Sequence, residues 1–190
     1  MKVKHLVVAF LCMLGCCACS SPKTEVKSPD GHIKMTLTVD ENGTPFYNVS
    51  VNDSLLIENS KMGFVEGNGV ILGGGFRIEK TTFDSKDETW TQPWGENKTN
   101  RNHYNEMAVN LINEDQVQLT LRFRVFNDGV GFRYEYNVPN VDSLMITDEL
   151  TTFHFRQDGT SWSIPASAET YELLYKPVSY THLRAHETGA

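Results

Sequence analysis

The chain has 190 residues, a formal net charge of −7 and a sequence pI near 5.3. Its length suits one domain or part of a larger protein, and its 11% aromatic content is typical of a folded globular chain. No cluster of Lys and Arg stands out from the acidic background, so the sequence argues against nucleic-acid binding.

The first nineteen residues form a predicted export signal. Two lysines precede an apolar run, which is followed by small residues and cysteine in "MKVKHLVVAFLCMLGCCACSS". The run is too short to cross a bilayer. All four cysteines lie here, which excludes a disulfide framework or cysteine-ligated zinc from the rest of the chain. We assign 1–19 to the signal and 20–24 to a tether.

The sequence "MLGC" resembles the lipobox of bacterial lipoproteins. This resemblance predicts lipidation at Cys16, with Cys19 as the alternative, and a plain signal peptide is the other interpretation. In each case we expect export from a bacterium. The mature protein would then be periplasmic or associated with the outer membrane, in contact with the membrane only through its lipid.

The next segments predict strands joined by turns. Apolar residues alternate with polar ones in "HIKMTLTV", between the turn sequences "PDG" and "ENG". "FYNVSVND" and "SLLIEN" predict two more strands around a turn at Asn52 and Asp53. Three glycines precede a strand in "GGGFRIE", which predicts a bulge or a close approach of two backbones. No segment has a helical period, so we expect an all-β fold, an antiparallel β-sandwich.

The segment 89–106, "TWTQPWGENKTNRNHYNE", combines an aromatic turn with a strand. The turn is centred on Trp94, and the Asn-rich sequence after it is too polar to be buried. The alternation that follows, extended backwards, places His103 on the core side and Glu106 on the opposite face. A metal site shared by these two side chains would require a break in the strand, so we expect a core histidine hydrogen-bonded to backbone.

A hairpin is predicted in "VQLTLRFRVFNDGVGFRYEYNV". With Asp128 and Gly129 as a two-residue turn, the apolar faces of the two strands match. The pairs expected in this register are Val125 with Phe132, Phe123 with Tyr134, and Leu121 with Tyr136.

The same register predicts two charged pairs on the other face. Arg122 is set against Glu135, which is favourable, and Arg124 against Arg133, which is unfavourable. We therefore expect a carboxylate close to the arginine pair, on a solvated face. Binding of an anion or a substrate is the alternative interpretation.

Three sequences occur here in the order and spacing of a known family. They are "ETWTQPWGE" with "RNHYNEMAV", "RFRVFNDGVGFRYEY" and "WSIPASAETYELLY". Over residues 25–177 the chain resembles the N-terminal domain of glycoside hydrolase family 97, whose members are bacterial α-glucosidases and α-galactosidases. The resemblance implies part of a β-supersandwich that packs on a catalytic (β/α)₈ barrel. It also implies calcium beside the substrate and α-linked glucosides or galactosides as substrates.

The catalytic carboxylates of the family belong to its barrel, so the resemblance assigns no catalytic residue to this chain. We expect the fragment to be inactive alone. One family residue is carried over, a glutamate that reaches the calcium from a loop of the N-terminal domain. It matches Glu172, with Glu169 as the alternative because the sequence departs from the family pattern around it. Residues 178–190 depart from the family and resemble translated adapter sequence; we assign them to a non-native tail, a genuine terminus being the alternative.

A rival interpretation is a free-standing carbohydrate-binding β-sandwich lipoprotein. The rings of Trp90, Trp94 and Tyr104 offer flat apolar surface for the C–H groups of a sugar. In either interpretation, the residues that we assign to substrate contact are Trp94 and Glu96.

Overall fold

A computed structural model of the protein describes residues 23–67, 69–164 and 173–179. Within these ranges the chain forms β-strands and no α-helix, which confirms the all-β prediction. In chain order the strands are β1 Glu25–Lys27, β2 Ile33–Val39, β3 Pro45–Val51, β4 Ser54–Lys61, β5 Phe64–Glu66, β6 Arg77–Thr91, β7 Thr99–Ile112, β8 Gln118–Val125, β9 Val130–Asn137, β10 Ile146–Glu149, β11 Thr160–Ser163 and β12 Lys176–Ser179. The part of the chain described by the structure holds no helix long and apolar enough to cross a membrane.

Two four-stranded antiparallel sheets make up most of the fold. The first has the order β1-β2-β3-β4 and the second the order β6-β7-β8-β9, so neighbours in sequence pair in space. Two smaller pairs, β5 with β10 and β11 with β12, complete the strand pairing. The predicted turn between β3 and β4 is confirmed at Asn52 and Asp53, whose φ angles of 50° and 62° suit these short polar residues.

The core lies between the two large sheets, with β1 over β7 and β2 over β8. Alternate residues of each strand face it, as the period-two pattern predicts. The largest side chains that are completely buried include Met35, Leu37, Tyr47, Met107, Leu111, Leu119, Leu121 and Phe123. This arrangement confirms the antiparallel β-sandwich.

A close backbone approach joins the β2–β3 turn to the glycines before β6. The N–H of Gly75 donates to the carbonyl oxygen of Asn42 at 2.8 Å, and the N–H of Phe76 donates to that of Gly43 at 3.0 Å. Gly43 has a φ of 73°, and a Cβ there would lie 2.2 Å from the nitrogen of Phe76. The predicted close approach is confirmed, and it requires glycine at position 43.

The β8–β9 hairpin forms, but its predicted register is wrong by two residues. Val125 pairs with Val130, and the turn is centred on Asn127 and Asp128 instead of Asp128 and Gly129. A shift of two residues leaves every side chain on the same face, so the apolar pattern could not distinguish the registers. The side-chain oxygen of Asn127 accepts a hydrogen bond from the N–H of Asp30, a contact with a distant turn that holds this turn in place. The pairs observed instead of those predicted are Phe123 with Phe132, Leu121 with Tyr134, Leu119 with Tyr136, Arg122 with Arg133 and Arg124 with Gly131.

The β6–β7 hairpin extends beyond the sandwich as a two-stranded ribbon. Pairing of β7 with β8 ends at Asn105, whereas pairing of β6 with β7 continues to Thr91 and Thr99. We call residues 86–104 the ribbon; at about 3.4 Å per residue its six residue pairs extend about 20 Å. Ion pairs across and along the strands support it, since Arg101 binds Asp87 through two hydrogen bonds of 2.7 Å.

The ribbon corrects the prediction for His103. This side chain lies on the core side of β7 but is 32% exposed, and its Nε2 lies 4.0 Å from a carboxylate oxygen of Asp87. It is not a core histidine, because β1 ends at Lys27, where the side chain of Asn105 donates to the last backbone carbonyl of the strand. The predicted separation of His103 and Glu106 onto opposite faces is confirmed.

Candidate functional site

The residues assigned from the sequence fall into two groups. Glu172, Glu169, Cys16 and Cys19 lie outside the described residues. Trp94 and Glu96 lie together in the loop 92–98 at the tip of the ribbon, and both side chains are exposed.

The loop at the ribbon tip is closed by hydrogen bonds around one carbonyl. The carbonyl oxygen of Asn97 accepts from the side chains of Gln92 at 3.1 Å and Asn100 at 3.4 Å. The backbone N–H of Gln92 also donates to the carbonyl of Lys98 at 3.0 Å. These bonds fix the loop while Trp94 remains 85% exposed, so its ring is open to a ligand or another protein surface.

A second group of polar side chains was only partly anticipated from the sequence. It lies on the outer face of the second sheet, opposite the core, and we call it the arginine–glutamate network. Its members are Glu106 on β7, Arg122 and Arg124 on β8, and Arg133 and Glu135 on β9.

Glu106 is the buried member of the network, with only 7% of its surface exposed. Nη1 of Arg122 donates to one of its oxygens at 2.5 Å, and Nε of Arg124 donates to the other at 2.7 Å. Burial opposes ionisation of this carboxyl, but the hydrogen bonds from Arg124 and Arg122 outweigh it and lower its pKa. Strand parity predicts Glu106 on the outer face correctly, but it does not predict that the arginines cover this side chain.

Glu135 relieves the repulsion between the paired arginines. It accepts hydrogen bonds from Arg122 at 2.9 and 3.1 Å and from Nε of Arg133 at 2.7 Å. The hydrogen bond from Arg122 is the largest cause of its low pKa, about 2. The like-charged pair is Arg122 with Arg133, so the predicted pairing of Arg124 with Arg133 is wrong. The expectation of a nearby carboxylate is confirmed.

Aromatic side chains support one end of the network. The guanidinium carbon of Arg124 lies 4.5 Å from the ring centroid of Tyr104, and that ring packs at 5.4 Å against Phe126. This cation–π contact restrains the guanidinium of Arg124 beside the ring of Tyr104. The network therefore joins β7, β8 and β9 where the ribbon leaves the sandwich.

Five carboxyl groups in the described part of the chain have pKa shifts opposite to the one that acid catalysis requires. A glycosidase acid needs a raised pKa to remain protonated near neutral pH. Five carboxyl groups in the described ranges have a lowered pKa, held down chiefly by hydrogen bonds; these are Asp30, Asp87, Glu88, Glu106 and Glu135. Among the same residues, no three His, Cys, Asp or Glu side chains come together as a metal-binding group.

Comparison with known proteins identifies relatives of one kind. The family model described as Glycosyl-hydrolase 97 N-terminal matches residues 26–190. A retaining alpha-galactosidase of Bacteroides thetaiotaomicron is 27% identical over 164 residues, which are 86% of this chain and 23% of that protein. The family match includes 178–190, whose assignment to a non-native tail stays a prediction.

Solved structures agree with the family match. A glycoside hydrolase family 97 enzyme from Pseudoalteromonas sp. strain K8, solved in complex with panose, has a TM-score of 0.74 and 36% identity over 80% of this chain and 24% of its own. A beta-arabinopyranosidase has a TM-score of 0.69 and 26% identity over 80% of this chain and 26% of its own. The chain thus spans about a quarter of the length of these relatives. Since the match covers most of the chain and the fold agrees, the chain belongs to the N-terminal domain family of glycoside hydrolase family 97.

Proposed function

We propose that the chain is the N-terminal accessory domain of an exported α-glycoside hydrolase and packs on a catalytic (β/α)₈ barrel. The observation that carries this proposal is the family match over 26–190 in a chain that spans about a quarter of its relatives. An alpha-galactosidase and an enzyme in complex with panose among the relatives support an α-linked glucoside or galactoside as the substrate.

The chemistry of the described carboxyl groups supports an accessory role. Hydrolysis of a glycosidic bond requires two carboxyl groups, one of which is protonated before the reaction. Glu106 and Glu135 are instead held ionised by arginines. We expect no turnover of chromogenic α-glucosides or α-galactosides by the full chain; turnover that survives repurification would overturn the accessory role.

We further propose that Glu172 supplies a carboxylate to a calcium ion in the parent enzyme, with Glu169 as the alternative ligand. Carboxylate oxygens are the preferred ligands of Ca²⁺, and family membership supports the carry-over. In the intact parent, Glu172→Gln is expected to raise the calcium concentration needed for half-maximal activity, while Glu169→Gln leaves it unchanged. The reverse result would assign the ligand to Glu169, and no effect of either change would reject the calcium role.

Export with a lipid anchor at Cys16 is the third part of the proposal, with Cys19 as the alternative. The support is the lipobox-like sequence at the end of the apolar run. In cells fed labelled palmitate, Cys16→Ser is expected to abolish labelling and Cys19→Ser to preserve it. Labelling of neither the wild type nor the Cys19→Ser variant would indicate a plain signal peptide.

Carbohydrate binding is the second candidate function, favoured by the ring of Trp94, which is 85% exposed on a hydrogen-bonded loop beside Glu96. We expect binding of a maltooligosaccharide to the full chain, measured by calorimetry, to be lost in Trp94→Ala. Trp162, which is 66% exposed on β11, provides a matched control, because its replacement by alanine should leave binding intact. If the wild type binds no maltooligosaccharide, the carbohydrate-binding function is rejected and the accessory role remains.

A further inference from the structure

The arginine–glutamate network has an excess of positive charge. Three arginines face two glutamates, so the network has a formal charge of +1 in a chain whose net charge is −7. A depression of about 220 Å³ lies beside these side chains, lined by Arg122, Arg124, Phe126, Gly131, Phe132 and Arg133. Three arginines of the network therefore lie next to open space.

Hydrogen-bond donors remain available at this depression. Arg122 directs Nε and both terminal nitrogens at the two glutamates. Arg124 donates through Nε to Glu106, and its two terminal nitrogens have no acceptor among the described residues. Arg133 contacts Glu135 through Nε and Nη2, and its Nη1 has no acceptor in the described ranges. Arg124 and Arg133 thus hold donors for another acceptor.

Gly131 creates the space for such an acceptor. It pairs directly with Arg124 across β8 and β9, on the outer face of the sheet. No atom lies within 4 Å of the position that a Cβ at residue 131 would occupy, and the backbone there does not require glycine. The missing side chain leaves open space beside Arg124 and Arg133, which line the same depression.

We propose that the depression over Gly131 binds one carboxylate group. A carboxylate accepts up to about four hydrogen bonds, and guanidinium groups bind it with two parallel donors. Its charge would neutralise the excess of +1, and the ring of Tyr104 holds Arg124 in position for the contact. The carboxylate has two sources: a small molecule in solution, or an acidic side chain of the part of the parent enzyme outside this chain. The second source rests on the proposed function.

A matched pair of substitutions tests the depression through stability. Gly131→Asp places a carboxylate beside Arg124, and Gly131→Asn places a neutral side chain of the same shape there. We expect the Asp variant to unfold about 2–4 °C above the Asn variant, and the difference to shrink in 1 M salt. An Asn variant as stable as the Asp variant would overturn the proposal.

Acetate tests binding directly. In the full chain labelled with ¹⁵N-arginine, acetate at constant ionic strength should produce saturable shifts of the side-chain resonances of Arg124 and Arg133. The shifts should weaken in Gly131→Asn, whose amide fills the space over residue 131, and disappear in Gly131→Asp. A response to acetate equal to that to chloride in the wild type would overturn the proposal. These results need no parent enzyme, so they do not depend on the proposed function. In the parent, a lost acetate response assigns the carboxylate to the protein, and a retained response assigns it to solution.

Discussion

Replacement of Glu106 by glutamine tests how much the arginine–glutamate network stabilises the fold. The carboxylate is 7% exposed and receives hydrogen bonds from Arg122 and Arg124 at 2.5 and 2.7 Å. Glutamine keeps the volume but removes the charge, and its N–H₂ group faces one of the guanidiniums. A hydrogen bond to a charged group contributes about 1.5–3 kcal/mol. Solvent screens the hydrogen bond to Arg124, because its side chain is 41% exposed, so the contribution of this bond lies at the low end of that range.

One hydrogen bond is lost in Glu106→Gln and the other loses its charge. We therefore expect the free energy of unfolding to fall by about 2–3 kcal/mol, which corresponds to about 5–10 °C in Tm for a chain of this size. Urea unfolding of the full chain at pH 7, followed by circular dichroism, measures the change as a lower midpoint with an unchanged slope.

Glu88→Gln is the matched control, because Glu88 lies on the same outer face of the same hairpin. It pairs with Lys86 at 2.9 Å, but its side chain is 44% exposed, so no measurable change is expected. If Glu106→Gln and Glu88→Gln both have the same urea midpoint as the wild type, the buried network does not stabilise the fold.

Three further predictions concern a backbone contact, an acid titration and a buried hydroxyl. Gly31→Ala, at a φ of 80° in open space, should cost about 1–2 kcal/mol, and Gly43→Ala more than about 3 kcal/mol because its Cβ meets the nitrogen of Phe76. Equal losses in urea unfolding would disprove the close approach. Because arginines depress the pKa of Glu135 from 4.5 to about 2, its stabilisation is complete above about pH 4.5 and is lost as the pH falls toward 2. Glu135→Gln should reduce the dependence of the unfolding free energy on pH in this range. An unchanged dependence would contradict the low pKa of Glu135. Tyr47→Phe removes a 2.9 Å hydrogen bond to a backbone carbonyl and should lower stability by about 1 kcal/mol in the same assay; an unchanged midpoint would speak against that bond.

The sequence predicted those parts of the fold that depend on local pattern. Three features depend on only a few neighbouring residues: the alternation in β2, the turn at Asn52 and Asp53, and the glycines before β6. The structure has the strand, the turn and the close backbone approach at the predicted positions. The two faces of β7 were also predicted, because parity along a strand does not depend on its neighbours.

The register of the β8–β9 hairpin could not be predicted in the same way. Two registers that differ by two residues give the same apolar faces, and the contact between Asn127 and Asp30 joins residues 97 positions apart. His103 was misplaced for a related reason, since its burial depends on where β1 ends over the neighbouring sheet. In both cases the deciding contact lies between segments that are distant in sequence.

The candidate site was predicted unevenly. The exposure of the Asn-rich tip follows from composition, and the need for a carboxylate near paired arginines follows from charge. The burial of Glu106 required knowledge that β7 lies beside β8 in a register that places it opposite Arg124. The only signal in the sequence was the recurrence of Arg122 and Arg124 on one face of a strand.

We propose that this chain serves a larger glycoside hydrolase and performs no hydrolysis itself. The most direct measurement compares the full chain with the intact parent enzyme, at equal molar concentration with calcium, on 4-nitrophenyl α-glucoside and α-galactoside. We expect the parent to release nitrophenol from one of these substrates and the chain to release none. Release by the chain at a rate comparable to that of the parent would contradict this proposal.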